Sequence, residues 1–461
     1  MKQLDTVVGE ITRRVMLELQ AKEVTEQIGV FSNMDNAVEA CFIAQKKLVK
    51  LTLAQRGALI EGMRKTAIEN AEWISKAAVE ESKMGKWEDK LVKNLLAAKK
   101  TPGIEDLKTE AMSGDNGLTL VELSPFGVIG AITPTTNPTE TIICNSIGMI
   151  AAGNGIVFSP HPTAKNISLK LIQLINQSIV NAGGPRNVIT TVSQPTIEQA
   201  NLMMKHPKVN MLVATGGPGV VRAVLSTGKK AIGAGAGNPP AVIDETADIE
   251  KAAKDVILGC SFDNNLPCIA EKEVIVVEQV ADYLIFCMKS SGAYFIEDAP
   301  TLRRLEELLV NDGQANKDYI GKPASYILEQ VGITADESVK VISMETYVDH
   351  PFVQHELMMP VLPVVRVKDI NAAINTAVAV EHGLRHTAIM HSKNIDNLSA
   401  LAKAIQTTIF VKNSPSYAGI GVGGEGYTTF TIAGPTGEGL TSAKSFTRNR
   451  RCVLADSFNI K

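Results

Sequence analysis

From residue 118 to about 240 the chain repeats one unit, a short run of β-branched and apolar residues followed by an amphipathic helical stretch. The runs LTLVEL, GVIGAI, GIVFS, NVITTV and KVNMLVAT alternate with helical patterns starting at 138, over 164–181 and around 197–205. Such alternation admits few folds. Parallel strands must be joined by crossovers, and the crossover helices cover both faces of the sheet. The chain therefore reads as α/β. The cycle restarts after NPPAVID (238–244), with a helix over 247–259, the strand EKEVIVV and helices near 281–290 and 301–310, so a second α/β domain begins near residue 240. Residues 37–110 form a helical lead-in with apolar and charged faces, and the segment 430–461 reads closer to strand than to helix.

Composition excludes several uses of such a fold. Lysine plus arginine (46) and aspartate plus glutamate (49) nearly cancel, leaving −3, too weak a field to hold nucleic acid or an anionic membrane. The six cysteines (41, 144, 260, 268, 287, 452) include no CxxC pair, which argues against a disulfide framework or thiolate zinc site and for a reducing compartment, the cytoplasm. The most apolar stretch, IICNSIGMIAAGNGIVF, is interrupted by Asn145, Gly153 and Asn154, and no run reaches the roughly 20 residues of a bilayer helix. The first residues mix acids and bases where a secretory signal needs a continuous apolar block.

Those first residues do carry a pattern. Leu4, Val8, Ile11, Val15 and Leu19 recur at helical steps on one stripe. A helix packed on its own domain and a detachable helix for a partner both fit, and the polar AKEVTEQ that follows suits a linker.

Two glycine clusters invite a phosphate-loop reading. GIGVGGEG (419–426) satisfies GxGxxG twice but lacks the preceding strand and following helix that the dinucleotide motif needs. ATGGPGVVRAVL (214–225) has both, so backbone N–H groups at Thr215, Gly216 and Gly217 can face an anion, although a plain strand-to-helix turn needs the same glycines.

Five cysteines sit in helical or strand runs and read as buried small hydrophobes. Cys268 lies in the loop NNLPCIAEKE, behind Asn264, Asn265 and Pro267, where a thiol is both held and approachable, as nucleophilic catalysis requires. Asn137, in TPTTNPTET, is ambiguous. With Pro138 and Glu140 it makes a good helix cap, and its carboxamide is also a good donor to an oxyanion. His382, His386 and His391 do not complete a metal site, since Gly383 interrupts the helix and no HExxH spacing occurs.

Taken in order, the strings SPFGVIGAITPTTNPTET, AAGNGIVFSPHPTAK, TGGPG, IGAGAGNPPAVIDETAD, SFDNNLPCIAEKE, HELMMPVLPVVRV, IFVKNSPSYAGIGVGGEG and PTGEGLTSAKSFTRNRRCV resemble the aldehyde dehydrogenase superfamily. Within it they resemble the CoA-acylating enzymes of bacterial microcompartments that act on propionaldehyde or acetaldehyde, and FDNNLPCIAEKE is nearer to the propionaldehyde group. The likeness runs from about residue 29 to the end.

The resemblance implies a Rossmann-type cofactor domain (19–112 and 126–233), an α/β catalytic domain (234–433) and a small β oligomerisation element (113–125 and 434–461), with homodimers or homotetramers as the consequence. It implies Cys268 as nucleophile and Asn137 as oxyanion donor. For NAD it implies Ile132, Thr133, Pro134 and Thr135 under the nicotinamide, and Ser159, Pro160 and His161 at the adenosine ribose. Thr215, Gly216 and Gly217 fall beside the pyrophosphate, and Glu356 at the nicotinamide ribose. Aligned on Asn238 and Pro239, Gly233 stands where hydrolytic members carry a glutamate base, so CoA thiol rather than water is the expected acyl acceptor. A hydrolytic NAD-dependent dehydrogenase and a noncatalytic nucleotide-binding scaffold are the competing readings. Residues 1–18 become an expected encapsulation helix for microcompartment shell or cargo proteins. No metal, nucleic acid or membrane partner is expected.

Overall fold

The computed structural model describes residues 28–460, so the amphipathic segment 1–18 lies outside the described residues. In chain order the strands are β1 (Val30–Phe31), β2 (Glu110–Gly114), β3 (Gly117–Pro125), β4 (Val128–Thr133), β5 (Gly155–Pro160), β6 (Ile189–Val192), β7 (Val209–Thr215) and β8 (Lys230–Ala234). They continue with β9 (Pro240–Ile243), β10 (Glu273–Val277), β11 (Ala293–Ile296), β12 (Val310–Asn311), β13 (Gln314–Ala315), β14 (Val341–Thr346), β15 (Val361–Val367), β16 (Thr387–His391), β17 (Ile409–Lys412), β18 (Ile432–Ala433), β19 (Gly439–Leu440) and β20 (Thr447–Ala455).

Two parallel sheets dominate. The first has the order β1-β6-β5-β4-β7-β8 and the second β11-β14-β15-β10-β9-β16-β17. Their central strands read as unbroken apolar runs because both faces are covered. Val128, Ile129, Ala131, Ile156, Val157 and Phe158 are fully buried, each of the larger side chains worth roughly 1.5–3 kcal/mol of transfer free energy. In the first sheet the chain builds outward from β4 through β5 and β6, then crosses back to place β7 and β8 on the other side. That reversal opens a crevice outside the carboxyl ends of β4 and β7, where parallel sheets bind ligands.

The most apolar sequence stretch forms the helix Pro138–Ala151, buried along its whole length. No helix among the described residues is long and apolar enough to cross a membrane. β2 and β3 form a hairpin, and β20 pairs antiparallel with β3 from Thr447 against Pro125 to Ala455 against Gly117. Cys41, Cys144, Cys260 and Cys287 are buried as expected, but Cys452 is exposed, because β20 is an edge strand with its side chains open to solvent.

Candidate active site

The residues expected to surround a cofactor gather at one edge of the first sheet. Ile132 and Thr133 end β4, Ser159 and Pro160 end β5, and Thr215 ends β7, three strands adjacent in the order β5-β4-β7. Thr163 knits the loops after β4 and β5 together, its hydroxyl 2.7 Å from the Thr135 hydroxyl and 2.8 Å from His161 Nδ1. Pro134 lies in the same half-buried loop as Thr135. Burial and the positive charge of Lys317 hold His161 below the usual histidine range, so its ring is neutral at pH 7. Beyond β7, the helix Pro218–Leu225 starts from Gly217, and a β-carbon at Gly217 or Gly219 would project into open space. Thr133 Oγ1 is buried without a partner among the described residues. Open backbone at a helix start and an unpaired hydroxyl inside a switch-point crevice fit a dinucleotide, with no need of the Rossmann glycine spacing.

Cys268 sits in a turn between the helix Ile249–Ser261 and β10, half-buried and packed against the core. The turn is unusual. Asp263, Asn264 and Asn265 take φ values of 49°, 52° and 66°, three successive left-handed residues, a conformation that short polar side chains tolerate best. Side-chain bonds hold them there. Asn264 Nδ2 donates to Gly321 O at 2.8 Å, Asn265 Nδ2 donates to Cys260 O and Glu271 O, and the Lys272 ammonium donates to Asn265 Oδ1 at 2.6 Å. Burial and the Glu356 carboxylate push the Cys268 thiol up to about 12, against the opposing charges of Lys272 and Lys93.

Glu356 follows the short helix Pro351–Gln354 and accepts the Gly237 N–H at 3.4 Å. Burial raises its pKa, and the Lys272 charge opposes that rise. Gly237 stands in a crowded place, since a β-carbon there would lie 2.6 Å from Cys268 O and 2.9 Å from His386 Cγ.

Asn137 precedes the helix Pro138–Ala151, but its side chain makes no capping bond. Its Oδ1 instead accepts the Lys93 ammonium at 2.5 Å, and among the described residues its Nδ2 finds only Thr136 Oγ1 at 3.3 Å. Of the two sequence readings, capping fails. Lys93 and Lys90 are fully buried, and both donate to Asp263 Oδ2, at 2.6 and 3.0 Å. Glu140 Oε1 lies 3.0 Å from Lys93. Two cations and two anions thus balance in the dry interior, the condition under which buried charge is tolerated.

Cys268, Glu356 and Gly237 meet at one place, and Asn137 reaches the Cys268 turn through Lys93 and Asp263. Ser159, Pro160, His161, Thr215, Gly216 and Gly217 lie along the edge of the first sheet instead. Sequence reading missed the buried cluster and His386. On the helix Trp87–Lys100 the buried face is Lys90, Lys93, Asn94, Ala97 and Ala98, whereas amphipathic reasoning sends lysines to solvent. The available signal was the step back from Ala97 and Ala98 by one turn, which lands on Lys93 and Asn94. His386 was weighed only as a metal ligand. Burial and the Lys272 charge lower it to about 4, its Nδ1 pairs with Thr387 Oγ1 at 2.9 Å, and its buried Nε2 has no partner among the described residues.

A parallel-sheet switch-point crevice, a loop-held thiol and a carboxamide with a nearly unpaired N–H₂ are the parts of an enzyme class that works by covalent catalysis next to a nucleotide. The chain belongs to the aldehyde dehydrogenase family, whose model matches residues 24–291. It is 51% identical over 434 residues, 94% of this chain and 93% of the relative, to the propanal dehydrogenase (CoA-propanoylating) of Salmonella typhimurium. Its fold matches a crystal structure of Rhodopseudomonas palustris propionaldehyde dehydrogenase with bound CoA and an acylated cysteine, with TM-score 0.93 and 61% identity over 94% of this chain and 99% of that one. A propionaldehyde dehydrogenase from the fucose utilisation microcompartment of Clostridium phytofermentans matches at TM-score 0.93 and 52% identity, over 94% of this chain and 100% of that one.

Proposed function

We propose that this protein is a CoA-acylating aldehyde dehydrogenase that oxidises a short aliphatic aldehyde, propionaldehyde first and acetaldehyde next, to the acyl-CoA with NAD as oxidant. The observation that carries this proposal is the Asn137 amide, whose oxygen is occupied and whose N–H₂ is nearly free, linked through Lys93 and Asp263 to the turn of the half-buried Cys268. The similarity to a CoA-bound relative with an acylated cysteine supports it.

In this mechanism the Cys268 thiolate adds to the carbonyl carbon, and the oxygen takes the bonding pair as an oxyanion. Asn137 Nδ2 and the Cys268 N–H donate to that oxygen. Ile132, Thr133, Pro134, Thr135, Ser159, Pro160, His161, Thr215, Gly216, Gly217 and Glu356 hold NAD, which when bound supplies a two-electron hydride acceptor. As the oxyanion collapses, the aldehyde C–H bond breaks with its electron pair, leaving a thioester on Cys268. The thiolate of CoA then attacks the thioester carbon, the same donors take the second oxyanion, and Cys268 leaves as thiolate. The CoA thiol loses its proton to solvent before the attack, because His386, lowered to about 4 by burial and the Lys272 charge, is too weak a base to hold it.

The acceptor preference follows from Gly233. A β-carbon there would lie 2.6 Å from Val221 Cγ1, so the position holds no carboxylate to activate water. A thiol of ordinary pKa is already a few per cent ionised near pH 7 and needs less help.

The division into a cofactor domain (19–112 and 126–233), a catalytic domain (234–433) and an oligomerisation element (113–125 and 434–461) is part of this proposal. So are a homodimer or homotetramer built on the β2-β3-β20 sheet, a cytoplasmic location inside a microcompartment, and docking to shell or cargo proteins through residues 1–18. The test incubates the enzyme with propionaldehyde and NAD, with and without CoA. Propionyl-CoA should form only with Cys268 present, and intact-protein mass spectrometry without CoA should find a propionyl adduct on that residue. Rapid steady NADH release without CoA, or full turnover by Cys268→Ala, defeats the proposal.

A further inference from the structure

We infer that Lys93 is a positioning residue for oxyanion stabilisation, fixing which end of the Asn137 carboxamide is presented to the reacting carbonyl; this rests on the oxyanion role proposed for Asn137.

An asparagine amide has two orientations related by a half-turn, nearly equal in shape and opposite in function. Only the one with Nδ2 toward the substrate can donate to an oxyanion. An ammonium group donates and never accepts. With Lys93 Nζ 2.5 Å from the inward end of the amide, the reversed orientation would set N–H against N–H in a buried site. The oxygen is therefore held inward and the N–H₂ outward, where Thr136 Oγ1 at 3.3 Å is a weak competitor.

Lys93 is itself fixed. It donates to Asp263 Oδ2 at 2.6 Å and Asn137 Oδ1 at 2.5 Å, and it is ion-paired with Glu140 Oε1 at 3.0 Å. Asp263 belongs to the left-handed turn that leads to Cys268, and its other oxygen accepts the Lys86 backbone N–H at 2.7 Å. One carboxylate thus ties the amide's anchor to the loop of the nucleophile. The second lysine on that carboxylate, Lys90, also donates to Thr136 O at 2.9 Å, beside Asn137.

The test is a mutant cycle. Lys93→Met alone strands two carboxylates against one cation, so it is paired with Glu140→Gln, which restores neutrality with Lys90 and Asp263. The double variant should lose about 10- to 100-fold in kcat for propionyl-CoA formation, short of the 10²–10³ typical of a deleted donor, with the aldehyde KM nearly unchanged. Combined with Asn137→Ala, it should add nothing to the loss that Asn137→Ala causes alone. Lys93→Arg, which keeps charge and donors, should retain clearly more kcat than Lys93→Met if the donor is what matters. Equal loss in both Asn137 backgrounds, an unchanged kcat, or an arginine variant as slow as the methionine variant overturns the inference. Wild-type kcat in Asn137→Ala alone would instead remove the oxyanion role beneath it.

Discussion

The space a side chain would need at Gly237 is already taken by the Cys268 carbonyl oxygen, 2.6 Å from where a β-carbon would sit. The connection between β8 and β9 passes so close to the Cys268 turn that only a hydrogen fits between them. Gly237→Ala must therefore displace one backbone or the other. We expect a stability loss of about 1–3 kcal/mol, as for overpacking elsewhere, and a fall in acyl-CoA formation on the order of 100-fold from a displaced sulfur. Thermal unfolding and steady-state kinetics on the same preparation measure both, and a fully active variant would show that the turn yields freely.

Installing the missing carboxylate should not convert the enzyme to hydrolysis. Gly233 lies on β8 with its N–H 3.2 Å from Thr436 Oγ1 and Val221 Cγ1 where its own β-carbon would go. Gly233→Glu is expected to lower the unfolding temperature and to yield no CoA-independent NADH turnover. Adding Val221→Ala should recover part of the stability. Appreciable hydrolysis in the single variant would mean the crevice opens more readily than its packing implies.

The thiol's pH dependence follows from its neighbours. Burial and the negative charge of Glu356 both raise Cys268, so its thiolate becomes abundant only well above neutral pH in the absence of ligands. Glu356→Gln removes one of these causes, and the midpoint for iodoacetamide labelling of Cys268 should move to lower pH while staying above that of an ordinary thiol. Peptide mapping reads the labelling, with the exposed Cys452 as internal reference. A midpoint that stays put or rises would separate Glu356 from the thiol.

Stability carries its own pH signature at Glu271, whose carboxylate accepts the Ser416 N–H at 2.8 Å and the Ser416 hydroxyl at 2.6 Å. Burial pushes this acid from 4.5 up to about 7. Between those values the folded chain binds the proton more tightly than the unfolded one, so Glu271 makes the protein lose stability as pH rises through that window. Glu271→Gln should gain on the wild type progressively from about pH 4.5 to 7 and hold a constant difference beyond, checked by denaturant unfolding at several pH values. A difference that is flat across the window would place the titration elsewhere.

The α/β architecture was legible because β4, β5, β7 and β10 are short apolar runs separated by amphipathic helices, a local pattern. Cys268 was legible because it is the one cysteine in a loop between such elements. Asn137 was only half legible, since a cap and an amide donor call for the same residue type, and the distant lysine that holds its side chain away from the helix start leaves no local trace. Lys93 and Lys90 were not legible at all. Their burial depends on Asp263, 170 residues from Lys93 along the chain, and local periodicity carries no information about a partner so remote. The closeness of His386 to Gly237 was not legible for the same reason, since the two lie far apart in the chain.

The shared carboxylate of Asp263 also bears on how such a protein changes over generations. Replacing Lys90, Lys93, Asp263 or Glu140 singly passes through a stranded charge in a dry interior, a step worth about 3–5 kcal/mol against a total stability of about 5–15 kcal/mol. Lineages descending from this sequence should therefore exchange these positions in compensating cation–anion pairs or not at all, so that no member of the quartet drifts alone.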